Sequence, residues 1–187
     1  MSMVKENMRQ PGFTLLEFLV VIAILGVLVS LASPYFSDMM QRQKIRSALN
    51  EWQNSFYFAQ REAMRLKEPV RLCASNDGVT CATAQGMQFN RGWVVLDRKG
   101  AVLQDNAFND PTINIHLNTN HGLAFMGNGS IGVVSSTGGI NASFMGATVT
   151  IGPLAPNGNI TVAPNLTGRN VVSISISAGG RLIGVKR

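Results

Sequence analysis

The chain has 187 residues, is 45% hydrophobic and 14% charged, and carries a formal net charge of +6. Few charges, 19 glycines and a long apolar run exclude a disordered chain and a heavily solvated helical one. The length suits one domain with an appendage.

The charge is unevenly spread. Asp110 is the last acid, and the acid-free remainder carries Arg169, Arg181, Lys186 and Arg187. Such a field serves solubility, a membrane surface or nucleic acid.

Lys5 and Arg9 precede an apolar run over 13–32, as in an exported chain. The run reaches the ~20 residues that a bilayer-spanning helix needs. Glu17 lies inside it. A charge at the centre of a membrane helix costs ~2.5–3.5 kcal/mol on insertion scales, and an ionisable group in such a segment is a functional residue by default. A cleaved signal peptide, with Ser30-Leu31-Ala32 as its small-x-small site, gives Glu17 no role. A plain membrane anchor is a further reading of the run.

After Pro34 the pattern becomes amphipathic. Ile45, Leu49, Trp52, Phe56, Ala59, Ala63 and Leu66 alternate steps of four and three, which puts them on one helix face. Glu68-Pro69 is expected to end the helix, because the residue before proline is pushed out of the α region. One helix of ~55 residues then reaches ~80 Å. Its stripe suits a cover for strands, with a coiled coil as the alternative. Arg42, Lys44 and Arg46 read as a solvated basic face near a membrane surface.

Beyond residue 70 the helical period disappears. Strands are expected at 70–73, 92–97, 101–104, 112–118, 122–126, 148–152, 159–163, 171–177 and 182–185, separated by turn signals such as Lys99-Gly100, Gly127-Asn128-Gly129 and Gly179-Gly180. Ile113, Ile115 and Leu117 alternate strictly, as do Val172, Ile174 and Ile176, which marks half-buried strands. The Ser-, Gly- and Ala-rich stretch 132–146 is expected to be a mobile loop or an irregular edge. Trp93 reads as core.

Cys73 and Cys81 in an exported chain are most simply a disulfide, closing a small ring that stabilises by ~2.5 kcal/mol in the chain-entropy model. Metal binding is the rival. It lacks the CxxC spacing, and only His116 and His121 are left to complete a site. Asp77, Asp97, Asp105 and Asp110 lack EF-hand spacing and suit turns and surface. No catalytic constellation, phosphate loop or dinucleotide fingerprint is found, so neither an enzyme nor a cofactor is expected.

Gly12-Phe13-Thr14-Leu15-Leu16-Glu17 resembles the prepilin peptidase site of type IV pilins and type II secretion pseudopilins. The resemblance implies a leader over 1–12, cleavage after Gly12, methylation of Phe13, and a role for Glu17 in filament assembly. Methylation keeps the charge of the Phe13 amine, and Glu17 of one subunit can neutralise that amine on a neighbour. A buried pair of this kind sets register more than it stabilises. Gly26 and Pro34 stand where many pilins carry residues that let the helix loosen on assembly. The Cys73–Cys81 pair, Gly92-Trp93-Val94-Val95-Leu96-Asp97 and Gly179-Gly180-Arg181 look like the GspH/FimT/FimU group of minor pilins and pseudopilins.

The expected fold is α+β. A helix over 13–34, membrane-spanning or bundled, continues over 35–68 as an amphipathic helix packed on a β-rich periplasmic head of antiparallel sheets over 69–187. The resemblance implies major and minor pilins, the prepilin peptidase and the inner membrane as partners. It leaves three roles: a minor pilus subunit in filament initiation, a FimT-like DNA-capturing pilin, and a GspH-type pseudopilin of type II secretion. For DNA, the family's Gly-Arg-x-Arg pattern is half kept, since Gly180-Arg181-Leu182-Ile183 retains only its first arginine. Arg169, Lys186 and Arg187 are the other candidate contacts.

Overall fold

The computed structural model describes residues 14–82, 89, 91–108, 110–119, 121–135, 138–141, 144, 146–153, 171–177 and 179–186, with backbone alone at 31–35, 38, 185 and 186. The chain divides after Met40 into two compact units. Helix α1 (Leu15–Leu66) contributes to both.

In the first unit the helix exposes its apolar side chains, from Leu15 at 83% through Phe18, Ile22 and Leu25 to Val29. Among the described residues, no helix is long and apolar enough to cross a membrane. The expected spanning segment at 13–34 falls only partly within the described residues. Phe13 and the side chains of 31–35 lie outside the described residues, and the stretch 15–30 between them is shorter than the ~20 residues a span requires.

Among the described residues, the second unit combines the rest of α1 with ten strands. These are β1 (Val70–Ala74), β2 (Trp93–Leu96), β3 (Val102–Asn106), β4 (Ile113–Leu117), β5 (Gly122–Phe125), β6 (Ile131–Val134), β7 (Ile140–Asn141), β8 (Ala147–Pro153), β9 (Val172–Ile176) and β10 (Leu182–Lys186). They form a six-stranded sheet, β3-β2-β1-β5-β6-β7, and a four-stranded sheet, β10-β9-β8-β4. Every pairing is antiparallel.

The helical stripe packs on both sheets, as a cover rather than a coiled coil. Ile45, Leu49, Trp52, Phe56, Ala59 and Ala63 share one core with Val70, Leu72, Trp93, Val95, Leu123 and Phe125 of the first sheet and with Ile115, Val149, Ile151 and Ile174 of the second. Alternation works as read in β4, where Ile113, Ile115 and Leu117 turn inward. Strand β2 departs from it, because both its faces are covered. Trp93 and Val95 enter the main core, while Val94 and Leu96 join Cys73 in a second cluster behind the six-stranded sheet.

Two expectations change. Helix α1 ends at Leu66 rather than at Glu68, because Lys67 turns into the left-handed region at φ 55°. The stretch 132–146 supplies strand residues of β6 and β7 in place of a mobile loop, although β7 is indeed an edge. Gly132, a loop signal in sequence, is there for close approach: a Cβ on it would lie 2.4 Å from the Asn141 carbonyl oxygen. The strand expected at 159–163 lies outside the described residues.

The helix is fixed to the sheet by one buried hydrogen bond. Trp93 Nε1 donates to Ser55 Oγ at 2.8 Å, and both residues are at most 1% exposed. Ser55→Ala leaves the indole N–H without an acceptor in a dry core. Loss of about 1–3 kcal/mol is expected in thermal unfolding of the purified chain, and an unchanged midpoint would refute this role.

Candidate functional site

At the N-terminus, Thr14 caps α1. Its Oγ1 accepts from Glu17 N at 3.2 Å, and its carbonyl accepts from Phe18 N at 3.2 Å. A side-chain oxygen thus satisfies one of the backbone donors that every helix start leaves open. The Thr14-x-x-Glu17 spacing is also that of a capping box. The carboxylate of Glu17 therefore sits in the first turn, where the helix dipole favours negative charge. Glu17 is exposed. Gly12 and Phe13 lie outside the described residues. The helix runs through Gly26 and Pro34 unbroken. A Cβ on Gly26 would meet nothing within 4 Å, so nothing in the chain itself requires glycine there.

Cys73 and Cys81 are bonded. The loop they close is organised by Asp77, whose Oδ1 accepts from Ser75 Oγ, Val79 N and Thr80 N at 2.8–2.9 Å and whose Oδ2 accepts from Thr80 Oγ1 at 2.6 Å. These bonds, the Thr80 hydroxyl first, hold the carboxyl well below the usual range. Asp97 likewise accepts from Ala101 N, and Asp110 from Thr112 N. His121 is buried, and burial lowers the pKa of the half-buried His116. Among the described residues, no cluster of three or more His, Cys, Asp or Glu is placed to hold a metal ion.

At the other end, Arg181 follows a tight hairpin turn. Gly180 N donates to the Ser177 carbonyl and Ser177 N to the Arg181 carbonyl, both at 2.9 Å, and Arg181 N donates to Ser177 Oγ at 3.1 Å. Gly180 takes φ 76° in this turn, which a side chain would resist. Its carbonyl accepts from Gln60 Nε2 of α1 at 3.5 Å. Arg181 is exposed. Lys186 pairs in register with Ser173 at the far end of β10, roughly 17 Å along the strand at ~3.3 Å per residue. The structure therefore does not gather the two. Arg169 and Arg187 lie outside the described residues.

Some residues carry weight that the sequence reading did not assign. Ser55 reads as a polar interruption of an apolar face. Lys44 pairs with Asp110 at 3.1 Å, and nothing in their spacing points to it. Arg71 donates to the Asp97 carbonyl at 3.0 Å and the Gly138 carbonyl at 3.3 Å, joining two turns. Only the Thr14 cap had a readable signal, the Thr-x-x-Glu spacing.

A capped, carboxylate-bearing helix start on a chain whose head is antiparallel sheet under the same helix defines a pilin-like protein. Residues 7–33 match the prokaryotic N-terminal methylation motif, and residues 48–180 match the family described as type II transport protein GspH. The chain belongs to this GspH group of type IV minor pilins and pseudopilins. It is 28% identical to a fimbrial protein of Pseudomonas aeruginosa over 94 residues, 49% of this chain and 55% of the relative. It thus spans about half the length of that relative. Over 41 residues, 22% of this chain and 27% of the relative, it is 44% identical to fimbrial protein EcpC of Eikenella corrodens. In fold it resembles the type IV minor pilin FimU of Pseudomonas aeruginosa, with a TM-score of 0.50 and 19% identity over 76% of this chain and 88% of that one.

Asp77 makes the disulfide loop acid-sensitive. Its depressed pKa contributes stability that is fully present above the unfolded value of ~3.9 and is lost as pH falls through the folded value. Asp77→Asn is expected to flatten the acid limb of a pH–stability profile and leave its slope near neutral pH unchanged. An acid limb identical to that of the parent would show that the loop bonds do not stabilise the ionised form.

Proposed function

We propose that the chain is a minor subunit of a type IV pilus, acting at low copy in filament initiation or assembly. The observation that carries this is the pairing of a methylation motif with a GspH-type head on one helix. In this reading the leader 1–12 is cut after Gly12 by the prepilin peptidase, and Phe13 is methylated. The apolar helix holds the subunit in the inner membrane, head in the periplasm, before it enters the filament. Glu17 then meets the Phe13 amine of a neighbour among major and minor pilins, and Gly26 and Pro34 let the helix loosen there. The exposed apolar side chains of residues 15–29 supply the surface that bundling buries. Glu17→Ala is expected to remove the chain from sheared filaments while leaving the unfolding midpoint of the head unchanged. Normal piliation and processing in that strain would overturn the reading. A deletion strain that keeps its pili and loses secretion of folded proteins would assign the chain to a type II secretion pseudopilus.

A second reading, DNA capture during natural transformation, is supported by the acid-free half of the chain and the exposed Arg181. Contacts from Arg169, Arg181, Lys186 and Arg187 would go to phosphate, independent of sequence, with Kd ~10⁻⁴–10⁻⁶ M and steep salt dependence. A gel-shift titration of the full chain is expected to show binding that Arg181→Ala/Lys186→Ala/Arg187→Ala weakens. No binding at low salt, or no effect of the triple change, would end this reading.

A further inference from the structure

The disulfide is unequal at its two ends. Cys73 lies in β1 and is 0% exposed, whereas Cys81 is only partly buried. β1 is an interior strand, with β2 on one side and β5 on the other. Cys73 stands opposite Val94 of β2 and Gly122 of β5. A Cβ on Gly122 would lie 2.9 Å from the Cα and the Cβ of Cys73, so β5 closes tightly there. Val94 and Leu96 share a buried cluster with Cys73, and Cys81 packs against that cluster.

The ring between the two sulfurs has its own scaffold. Asp77 accepts from Ser75 Oγ, Val79 N, Thr80 N and Thr80 Oγ1, and Gly78 N donates to Ser75 Oγ at 3.0 Å. Ala82 N donates to the Ala74 carbonyl at 2.8 Å, which joins the two ends of the ring. None of these bonds involves a sulfur, so cleavage of the S–S bond removes none of them.

We propose that Cys81 is the entry point for thiol–disulfide exchange in the folded head, and that the surrounding fold keeps the bond closed. The inference is independent of the subunit reading. Exchange needs a thiolate to reach one of the two sulfurs. Cys73 is enclosed, which leaves Cys81. The incoming sulfur bonds to Cys81 Sγ, the Cys73–Cys81 bond breaks, and its electron pair leaves on Cys73 Sγ. With a dithiol, the second thiolate then attacks the reagent's own sulfur in the mixed disulfide and releases Cys81. The dithiol is oxidised and both cysteines are reduced. The first step is the difficult one. Its charge forms on a sulfur packed against Val94 and Leu96, where an ion is costly. The guanidinium of Arg71, farther back along β1, is turned to the Asp97 and Gly138 carbonyls. The Asp77 scaffold keeps the expelled sulfur near Cys81, so reclosure of the ring competes with the second step.

The test uses the full chain purified in detergent, with glutathione and dithiothreitol as the thiols. After glutathione treatment and acid quenching, peptide mass spectrometry is expected to find the mixed disulfide on Cys81. Reduction by dithiothreitol is expected to be about a hundredfold slower in native buffer than in urea. Asp77→Ala is expected to raise the ratio of reduced to oxidised chain in a dithiothreitol redox buffer about tenfold, equivalent to about 30 mV. Thr80→Val, at an exposed residue, removes one scaffold bond and is expected to move that ratio the same way by about threefold. Glutathione on Cys73, reduction as fast in native buffer as in urea, or a ratio unchanged in both variants would each overturn the inference.

Discussion

The head depends on one stripe of one helix being shared by two sheets. Trp52 and Phe56 supply bulk, while Ala48, Ala59 and Ala63 let backbones come close. Phe56 meets Phe125 edge-on at 4.9 Å, a geometry that ring quadrupoles favour. Removing water from this shared surface is the dominant gain. It has no direction of its own, so it does not fix where along the helix the sheets sit. The directional contacts do that. Lys44–Asp110 holds one flank, Ser55–Trp93 the middle and Gln60–Gly180 the other flank. The exposed ion pair is worth ~0–1 kcal/mol. The buried indole bond matters more, because breaking it strands a donor in the core.

This arrangement separates two duties along one helix. The segment 15–30 keeps its apolar side chains exposed and carries Glu17 in its first turn. The segment after Gln41 is committed on one face to the head's own core, with the Lys44–Asp110 and Glu62–Arg65 pairs beside it. The disulfide stands apart from both. With Val94 and Leu96 it closes a small cluster on the back of the six-stranded sheet, where Arg71 ties the β2–β3 turn to the β6–β7 turn.

Much of this was legible in the sequence, for reasons that can be named. The helical stripe and the strict alternation in β4 follow from periodicity, which one buried face imposes directly. The methylation motif is local, six residues that need no tertiary context. Contacts between distant segments were not legible. Ser55 differs from any other helical serine only by the indole that reaches it from 38 residues away. Gly132 looked like a loop residue because composition does not distinguish a glycine that frees the backbone from one that makes room for a neighbouring carbonyl. The Gly-Trp pair shows the same point. A Cβ on Gly92 would lie 2.5 Å from the Asn106 carbonyl oxygen, a constraint set by β3 and invisible at residue 92. The end of α1 came one turn of logic early, because Lys67 takes the left-handed conformation before Pro69 has its effect.

The order of strands has a consequence for when the head can form. Neither sheet is built from one continuous stretch of chain. β1, β2 and β3 wait for β5 to complete their sheet, and β4 waits for β8, with Leu117 facing Val149 and Ile113 facing Pro153. The interleaving is confined to β4, which lies in sequence between β3 and β5 but pairs with β8. A chain that emerges from its N-terminal end can pair all six strands of the first sheet while the second still has only β4. Until β8, β9 and β10 emerge, β4 lacks a partner and the helical stripe is half covered. Folding of this kind is dominated by distant pairings and is intrinsically slow. Completion of the core thus waits for β8 and β9, which bring Val149, Ile151 and Ile174, and a chain truncated before them forfeits that part of the core as well as its last strands.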